Sequence, residues 1–411
     1  MLKVEKIIPG GEALATLEDG KKIFLWNALP GETVIDYKIT KNKSSYSEGI
    51  ATKIENPSLF RVDPKDACFL STSPWQIMQY DYELSQKQEL IVEIFREHKI
   101  NLEKPEIITD RKDYFYRNKM EYALYWDNNQ QKIQLAFHER GSHRKIPIQS
   151  STIERPELFS KAQSIIDELN SRGEEARKYQ SLLLRCNQNG EVSGGLYENH
   201  QPHPVFSNLK DQILGETYSY SPNGFFQINL PVYELALEEI KKHIKTDKVL
   251  DLYAGVGTIG LSVARNKNLT LVEVDKSAYL ELVKNISFEE SARPTGSARS
   301  EGSPVTTGRA ERVRKGNILG LLKKSEEVLE LIEPDQTVIL DPPRAGCDKK
   351  LIERLIEVKP EIIIYLSCNP ATQARDVKLL LEKYSIKEVK TFNFFPHTPH
   401  IENLIILEKN D

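Results

Sequence analysis

From Lys248 to the carboxyl terminus, short apolar runs alternate with stretches of helical spacing, and this rhythm leaves the chain few architectures. The apolar runs fall at 249–253, 270–274, 337–340 and 361–366. The helical stretches fall at 259–265, 278–287, 351–358 and 371–383, and runs at 390–395 and 404–408 read as closing strands. Strands and helices in this order predict an α/β domain with a parallel, doubly wound sheet. One strand of that sheet ends in Ser367-Cys368-Asn369-Pro370, where the Asn-Pro pair stops the strand before a helical stretch. Ligands of open α/β sheets bind outside the carboxyl ends of the strands, so the Cys368 thiol is expected to face a cleft.

The chain has 411 residues, which implies two or three domains. Hydrophobic residues make up 39% and charged residues 28%, and no apolar run is long enough to cross a bilayer. The amino terminus lacks a signal-peptide pattern, so the cytosol is the expected compartment. Four scattered cysteines, Cys68, Cys186, Cys347 and Cys368, form no C-x-x-C pair. They suggest neither a disulfide framework nor a zinc site, and a cytosolic thiol that matters is then a catalytic one. A net charge of −4 argues against adhesion to nucleic acid by bulk electrostatics. Local basic clusters remain at 38–43, at Arg111-Lys112 and 117–119, and at 138–145.

Residues 1–57 read as a small β domain, with alternating runs at 3–8, 22–26, 33–39 and 49–54 separated by Gly10-Gly11, Asp19-Gly20 and Pro30-Gly31. Strands so spaced suggest an oligonucleotide-binding (OB-like) barrel. Residues 58–240 read as a mixed α+β domain. Helices are expected at 82–99, which would pack on the catalytic domain, and at 156–172, and strands at 114–126, 133–137, 181–185 and 204–206. Residues 241–411 form the third domain. Its segment 291–315, rich in Ser, Gly, Pro, Thr and Arg without apolar periodicity, is expected to be a disordered surface insertion.

Four short motifs carry chemistry. Asp251-Leu-Tyr-Ala-Gly255-Val-Gly257-Thr-Ile-Gly260 follows a strand and opens a helix, and its glycines would let a nucleotide-like ligand approach the backbone. Glu273, on the next strand, is placed to accept both hydroxyls of a ribose. Asp251, just ahead of the glycines, favours a cationic ligand such as S-adenosylmethionine over a pyrophosphate. Asp341-Pro-Pro-Arg344 ends a strand on the same edge, and its prolines fix the aspartate for hydrogen bonding to a planar base. Phe225-Phe-Gln227-Ile-Asn229 sets an amide between aromatic neighbours, and Phe395-Pro-His-Thr-Pro-His-Ile-Glu402-Asn403 carries one carboxylate that burial would turn into a usable base.

Glycine loop, DPPR, SCNP and HIEN in this order resemble the RNA uracil-5 methyltransferase family. The resemblance extends to 116–122 and 137–141, which look like motifs of the family's central domain, and to residues 1–57, which look like its TRAM domain. It implies a Rossmann-like class I methyltransferase domain and methylation of uridine C5 in RNA with S-adenosylmethionine as donor. By the same resemblance Cys368 is the nucleophile, Glu402 the base and Asp341 a contact to the uracil. Gln227, Tyr253, Gly255, Gly257, Thr258, Glu273, Asn317 and Asp341 form the donor site. The chemistry also asks the site to lower the thiol pKa of Cys368. Relatives with a TRAM domain often hold an iron–sulfur cluster on four cysteines; here only Cys68 stands near that place and Ser150-Ser151 occupy the last, so neither a cluster nor another metal is expected. The TRAM-like region favours ribosomal RNA of the large subunit over a transfer RNA T-loop as target, and the enzyme is expected to work as a monomer. An adenine amino-methyltransferase would need no cysteine, and a non-catalytic RNA-binding protein would need neither Cys368 nor Glu402.

Overall fold

The computed structural model describes residues 1–203, 206–287 and 311–410. They fall into two compact units. The first contains Met1–Ile94, Arg111–Ser207 and Asn393–Ile401, and the second Phe95–Asp110, Asn208–Phe392 and Glu402–Asp411. Pro204 and Val205 of the strand expected at 204–206, and 288–310 of the expected insertion, lie outside the described residues.

In the first unit, β1 (Leu2–Lys3), β2 (Lys6–Ile7), β3 (Ala13–Thr16), β4 (Lys22–Trp26), β5 (Thr33–Asn42) and β6 (Tyr46–Asn56) form a six-stranded sheet in the order β1-β5-β6-β4-β3-β2. Alternation along the strands buries Ala13, Ala15, Ile23, Leu25, Val34 and Ala51 as one small core. The strand β3 is an addition to the sequence reading; its Ala-Leu-Ala-Thr has little apolar bulk to mark it.

A second six-stranded sheet orders β8 (Lys119–Asp127), β9 (Lys132–His138), β10 (Lys145–Pro147), β11 (Ser181–Cys186), β12 (Val192–Glu198) and β13 (Gln201–His203) as β10-β9-β8-β11-β12-β13. The strand expected from 114 begins at Lys119 instead, since Tyr116 and Arg117 run as a connector tied to Glu154 and Arg155. Helix α3 (Pro156–Ser171), which starts on its proline, covers one face through Leu158, Ala162, Ile166 and Leu169. Cys68, just ahead of the short helix α1 (Phe69–Thr72), is packed into this core. The segments around it are joined by hydrogen bonds: Asp66 accepts from Thr152 N and Oγ1, and from Gln76 Nε2 at 2.8 Å.

Helix α2 (Tyr80–Glu97) buries an ion pair one turn apart, Glu83 and Lys87, at 2.8 Å with neither side chain exposed. Burial pulls the Lys87 pKa down while Glu83 opposes the shift. Lys87 also donates to Asn393 Oδ1 and the Phe395 carbonyl, and Glu83 accepts from His397 N. A charge pair thus grips the segment immediately before Glu402.

The second unit is built on a nine-stranded sheet. Its strands are β7 (Glu106–Ile108), β16 (Lys248–Leu252), β17 (Asn268–Glu273), β18 (Arg312–Lys315), β19 (Ile318–Leu322), β20 (Gln336–Leu340), β21 (Ile362–Ser367), β22 (Tyr384–Phe392) and β23 (Glu402–Lys409), in the order β18-β19-β17-β16-β20-β21-β23-β22-β7. From β19 to β21 all neighbours are parallel; β23 returns antiparallel between β21 and β22. Helices α5 (Thr258–Ala264), α6 (Lys276–Ser287), α7 (Lys349–Val358) and α8 (Pro370–Leu380) fall where the spacing predicts them. The expectation of disorder to 315 is corrected: residues 312–315 form β18, anchored by Val313, which is buried against β19.

The unit also begins earlier than the border at 240. The hairpin β14 (Leu209–Ile213) and β15 (Glu216–Tyr220), and helix α4 (Leu230–Lys242), belong to it, because the buried Asn285 amide clasps Ser219 N and O and the Tyr218 hydroxyl meets Ser262 at 2.7 Å. No helix among the described residues is long and apolar enough to cross a membrane.

Removing one charge of a buried pair leaves the other uncompensated. Lys87→Met is expected to cost ~3–5 kcal/mol of stability in urea unfolding. Adding Glu83→Leu should recover much of that loss; a double variant no more stable than the single would contradict the pairing.

Candidate active site

Five neighbouring strands each present one side chain at the same edge of the sheet. In parallel register Leu252 pairs with both Val272 and Leu340, and Leu340 with Tyr365. The positions that follow, Glu273, Tyr253 and Asp341, therefore lie side by side, level with Leu366 on the next strand, and Cys368 stands two residues beyond Leu366. On the antiparallel neighbour Ser367 faces Asn403, so the adjoining pair is Cys368 with Glu402. At a strand spacing of ~4.8 Å the row from Glu273 to Glu402 covers roughly 19 Å. Its centre, between β16 and β20, is where the chain reverses its direction across the sheet, the usual ligand crevice of such folds.

The register that sets Cys368 against Glu402 is locked by buried amides. Gln373 donates to the carbonyls of Tyr365 (2.9 Å) and Asn403 (3.0 Å) and accepts from Asn403 Nδ2 (2.7 Å), while Asn403 Oδ1 accepts from Thr391. Asn369 caps α8 and donates to the Arg344 carbonyl at 2.8 Å, which ties the SCNP turn to the DPPR turn. Sequence reasoning gave Gln373 no role and quoted Asn403 only as part of a motif. The signal available was a pair of amides flanking apolar strands, where polar residues need partners.

Electrostatics of the edge are dominated by buried acids. Burial, then the neighbouring Asp341, raises the Glu402 pKa well above the ordinary carboxyl value, with Arg344 opposing. Asp341 is pushed up to about 7 by burial. The Cys368 thiol is raised to about 11 by burial, Glu402 and Asp341, against a smaller opposing effect of Arg344. The expectation that the site lowers the thiol pKa is therefore corrected: partial burial and two neighbouring carboxyl groups disfavour a further negative charge.

Near the glycine loop, Glu273 is held by two backbone donors, Gly255 N at 2.7 Å and Asp275 N at 2.5 Å. Asp251 departs from its expected part. It is fully buried, accepts from Gly260 N at 2.8 Å and braces the loop; its carboxyl is raised to about 8 by burial. The glycines also differ in duty. A Cβ at Gly257 would meet Leu282 at 2.5 Å, and one at Gly260 would meet Asp251 at 2.7 Å, so both are demanded by packing. Gly255, at φ +58, alone faces open space. Thr258 is the first residue of α5 and is buried. Tyr253 sits at φ +65, a strained position for an aromatic residue, and burial raises its phenol, which bonds to Ser325 and the Asp348 backbone.

Gln227 is buried beside Phe226, which stacks on Tyr220 at 3.9 Å, whereas Phe225 is 74% exposed. Asn317 does not join the group. It precedes β19 and bonds the Arg265 and Lys267 carbonyls at the amino ends of the strands, the opposite edge of the sheet. Elsewhere Glu239, His243 and Glu388 cluster with metal-ligand spacing, but Lys242 and Lys390 already neutralise the two carboxylates.

Residues 208–410 match the family described as tRNA (Uracil-5-)-methyltransferase. Along nearly the whole chain it is similar to an uncharacterized RNA methyltransferase of Lactobacillus johnsonii, 28% identical over 96% of this chain and 94% of the relative. A relative of the same description in Enterococcus faecalis is 28% identical over 100% and 97%. The crystal structure of Pyrococcus abyssi tRNA (uracil-54, C5)-methyltransferase, in complex with S-adenosyl-L-homocysteine, superposes with a TM-score of 0.72 at 22% identity, covering 99% of this chain and 100% of that one. The fold is thus that of a class I methyltransferase. The protein is an RNA methyltransferase, and its residues 208–410 carry the match to the tRNA (uracil-5-)-methyltransferase family.

A thiol at about 11 is overwhelmingly protonated at neutral pH. Iodoacetamide alkylation of Cys368, followed by mass spectrometry, should keep rising from pH 7 to pH 10 without a plateau. Arg344→Gln should slow it and Glu402→Gln should speed it; a plateau below pH 8 would show the opposite electrostatics.

Proposed function

We propose that the protein methylates C5 of a uridine in RNA through a covalent adduct with Cys368, using S-adenosylmethionine. What carries this reading is the placement of a thiol and a buried carboxyl on adjoining antiparallel positions at the ligand edge of a class I methyltransferase sheet. The residues present suit the donor: a fixed acid at Glu273 for ribose hydroxyls, an open backbone at Gly255, and an edge whose buried acids would welcome a positive charge. When bound, the donor supplies an electrophilic methyl group.

This chain's own residues account for the rest. Cys368 loses its thiol proton to solvent as the substrates arrive, its Sγ then bonds to C6 of the ring, and the electron pair displaced from the C5–C6 double bond makes C5 nucleophilic. C5 takes the methyl group, and Glu402 then accepts the C5 proton. The C5–C6 double bond reforms as the C6–S bond breaks, which returns the thiolate. Asp341, with a pKa near neutrality, holds the polar edge of the uracil, and Arg344 offsets the negative charge as the thiolate forms. The exposed ring of Phe225, next to Gln227, suits stacking on a base drawn out of its helix.

The first unit would then hold the RNA. Its amino-terminal sheet is read as the TRAM-like, OB-type domain of residues 1–57 and its second sheet as the central RNA-binding domain, in a cytosolic monomer. On that basis the target is a uridine of large-subunit ribosomal RNA. The family description supports a transfer RNA T-loop as the second reading.

Total RNA from a deletion strain, incubated with enzyme and labelled donor, should gain one 5-methyluridine, and mapping it decides between the two RNAs. Cys368→Ala should abolish incorporation. Glu402→Gln should slow turnover by ~10²–10⁴-fold and accumulate protein-linked methylated RNA, because the C5 proton cannot leave. Full methylation by Cys368→Ala would refute the scheme.

A further inference from the structure

Arg344 is exposed, and among the described residues its guanidinium makes no hydrogen bond or ion pair. Its backbone, by contrast, is firmly held. Gly346 N donates to the Pro343 carbonyl at 2.8 Å and closes a turn around Arg344 and Ala345. One face of α8 carries that turn, through side chains three and four residues apart. Asn369 Nδ2 and Thr372 Oγ1 donate to the Arg344 carbonyl at 2.8 and 3.2 Å, Arg375 donates to the carbonyls of Ala345 (3.2 Å) and Cys347 (3.4 Å), and Asp376 accepts from Cys347 N at 2.9 Å. Turn and helix lie in close contact: a Cβ on Gly346, at φ +80, would meet Arg375 Nη2 at 2.6 Å and Asp376 Oδ2 at 2.8 Å.

The same helix starts two residues after Cys368, and Asp376, 2% exposed, also accepts from the Tyr365 hydroxyl on β21 at 2.8 Å. Thiol and guanidinium are therefore both referred to one rigid element. Three charged or titratable groups face the thiol: Glu402 at the start of β23 and Asp341 at the end of β20 oppose its ionisation, and Arg344 favours it. An exposed arginine gains little from staying beside such groups, because water screens the attraction and side-chain entropy opposes it. Its hold on the site is set by where the turn is held. We propose that Thr372, Arg375 and Asp376 are positioning residues for the reaction: from α8 they fix the backbone of the Arg344 turn and so keep its guanidinium beside Cys368. The proposal rests on the reading of Cys368 as the nucleophile and gives three side chains outside the site a part in its chemistry.

Iodoacetamide alkylation of Cys368 between pH 8 and pH 10 tests it, since the rate follows the thiolate fraction. Thr372→Val and Arg375→Met should each slow the reaction about threefold and together about tenfold, the order expected for the loss of one nearby charge. Thr372→Ser, which keeps the hydroxyl, should react at the wild-type rate. A loss of fold would act the other way, because an unfolded thiol with its ordinary pKa of about 8.5 reacts faster. In an Arg344→Gln background the helix variants should change nothing further. In methylation assays the combined variant should lose kcat while KM for S-adenosylmethionine stays put. Wild-type alkylation by the combined variant, slowing that persists undiminished without Arg344, or an unchanged kcat overturns the proposal. Methyl incorporation by the wild-type protein is scored separately: its absence defeats the catalytic reading, while alkylation still judges whether α8 places Arg344.

Discussion

The hydrogen-bonded register between β21 and β23 is the constraint on which the rest of the site depends. A slip of one residue would turn Cys368 or Glu402 to the other face of the sheet. The chain guards against this with amides in place of bulk, since Gln373 and Asn403 satisfy one another and the backbone of both strands. In a dry setting such a network tolerates no alternative pairing, because any slip leaves several buried polar groups without partners. The antiparallel return of β23 is equally important. It brings a residue far along the chain to the tip of β21, which parallel connections alone cannot do at so short a range.

That arrangement concentrates acids. Asp251, Glu273, Asp341 and Glu402 are all raised by burial, and Cys368 shares their surroundings. The physical consequence is a site that resists forming a thiolate while the protein is free and in which Arg344 is the cation that opposes the acids among the described residues. Within the mechanism proposed here, the cation missing from the edge is brought by the methyl donor, and thiolate formation is coupled to the arrival of substrates. A resting thiol is protected from oxidation because the thiolate is the reactive form.

Much of this was legible in the sequence, and what was not has physical causes. Apolar runs with clear turns located β16, β17, β20 and β21, and with them Cys368 at a strand tip, because fully buried parallel strands have a strong compositional signature. The helix α4 carried the same kind of signal in Leu230, Tyr233, Leu237 and Ile240 and was passed over beside the motif that precedes it. Glycine duties could not be read, since a glycine needed for helix packing and one needed for ligand approach look alike until the neighbours are known. Asn317 entered the donor site by resemblance alone, which does not say which end of a strand a residue occupies. The sign of the Cys368 shift was misjudged because it depends on burial and on Glu402 and Asp341 together, neither of which is adjacent in sequence.

The proposed mechanism requires the sulfur of Cys368 to bond to a pyrimidine ring during the reaction. RNA in which uridine is replaced by 5-fluorouridine offers no C5 proton for Glu402 to remove, so the adduct cannot collapse after methyl transfer. Incubated with enzyme and S-adenosylmethionine, then digested and sequenced by mass spectrometry, it should yield a methylated fluoropyrimidine attached to the peptide that carries Cys368. A protein that methylates natural RNA but gives no such linked peptide, or one linked at another residue, would contradict it.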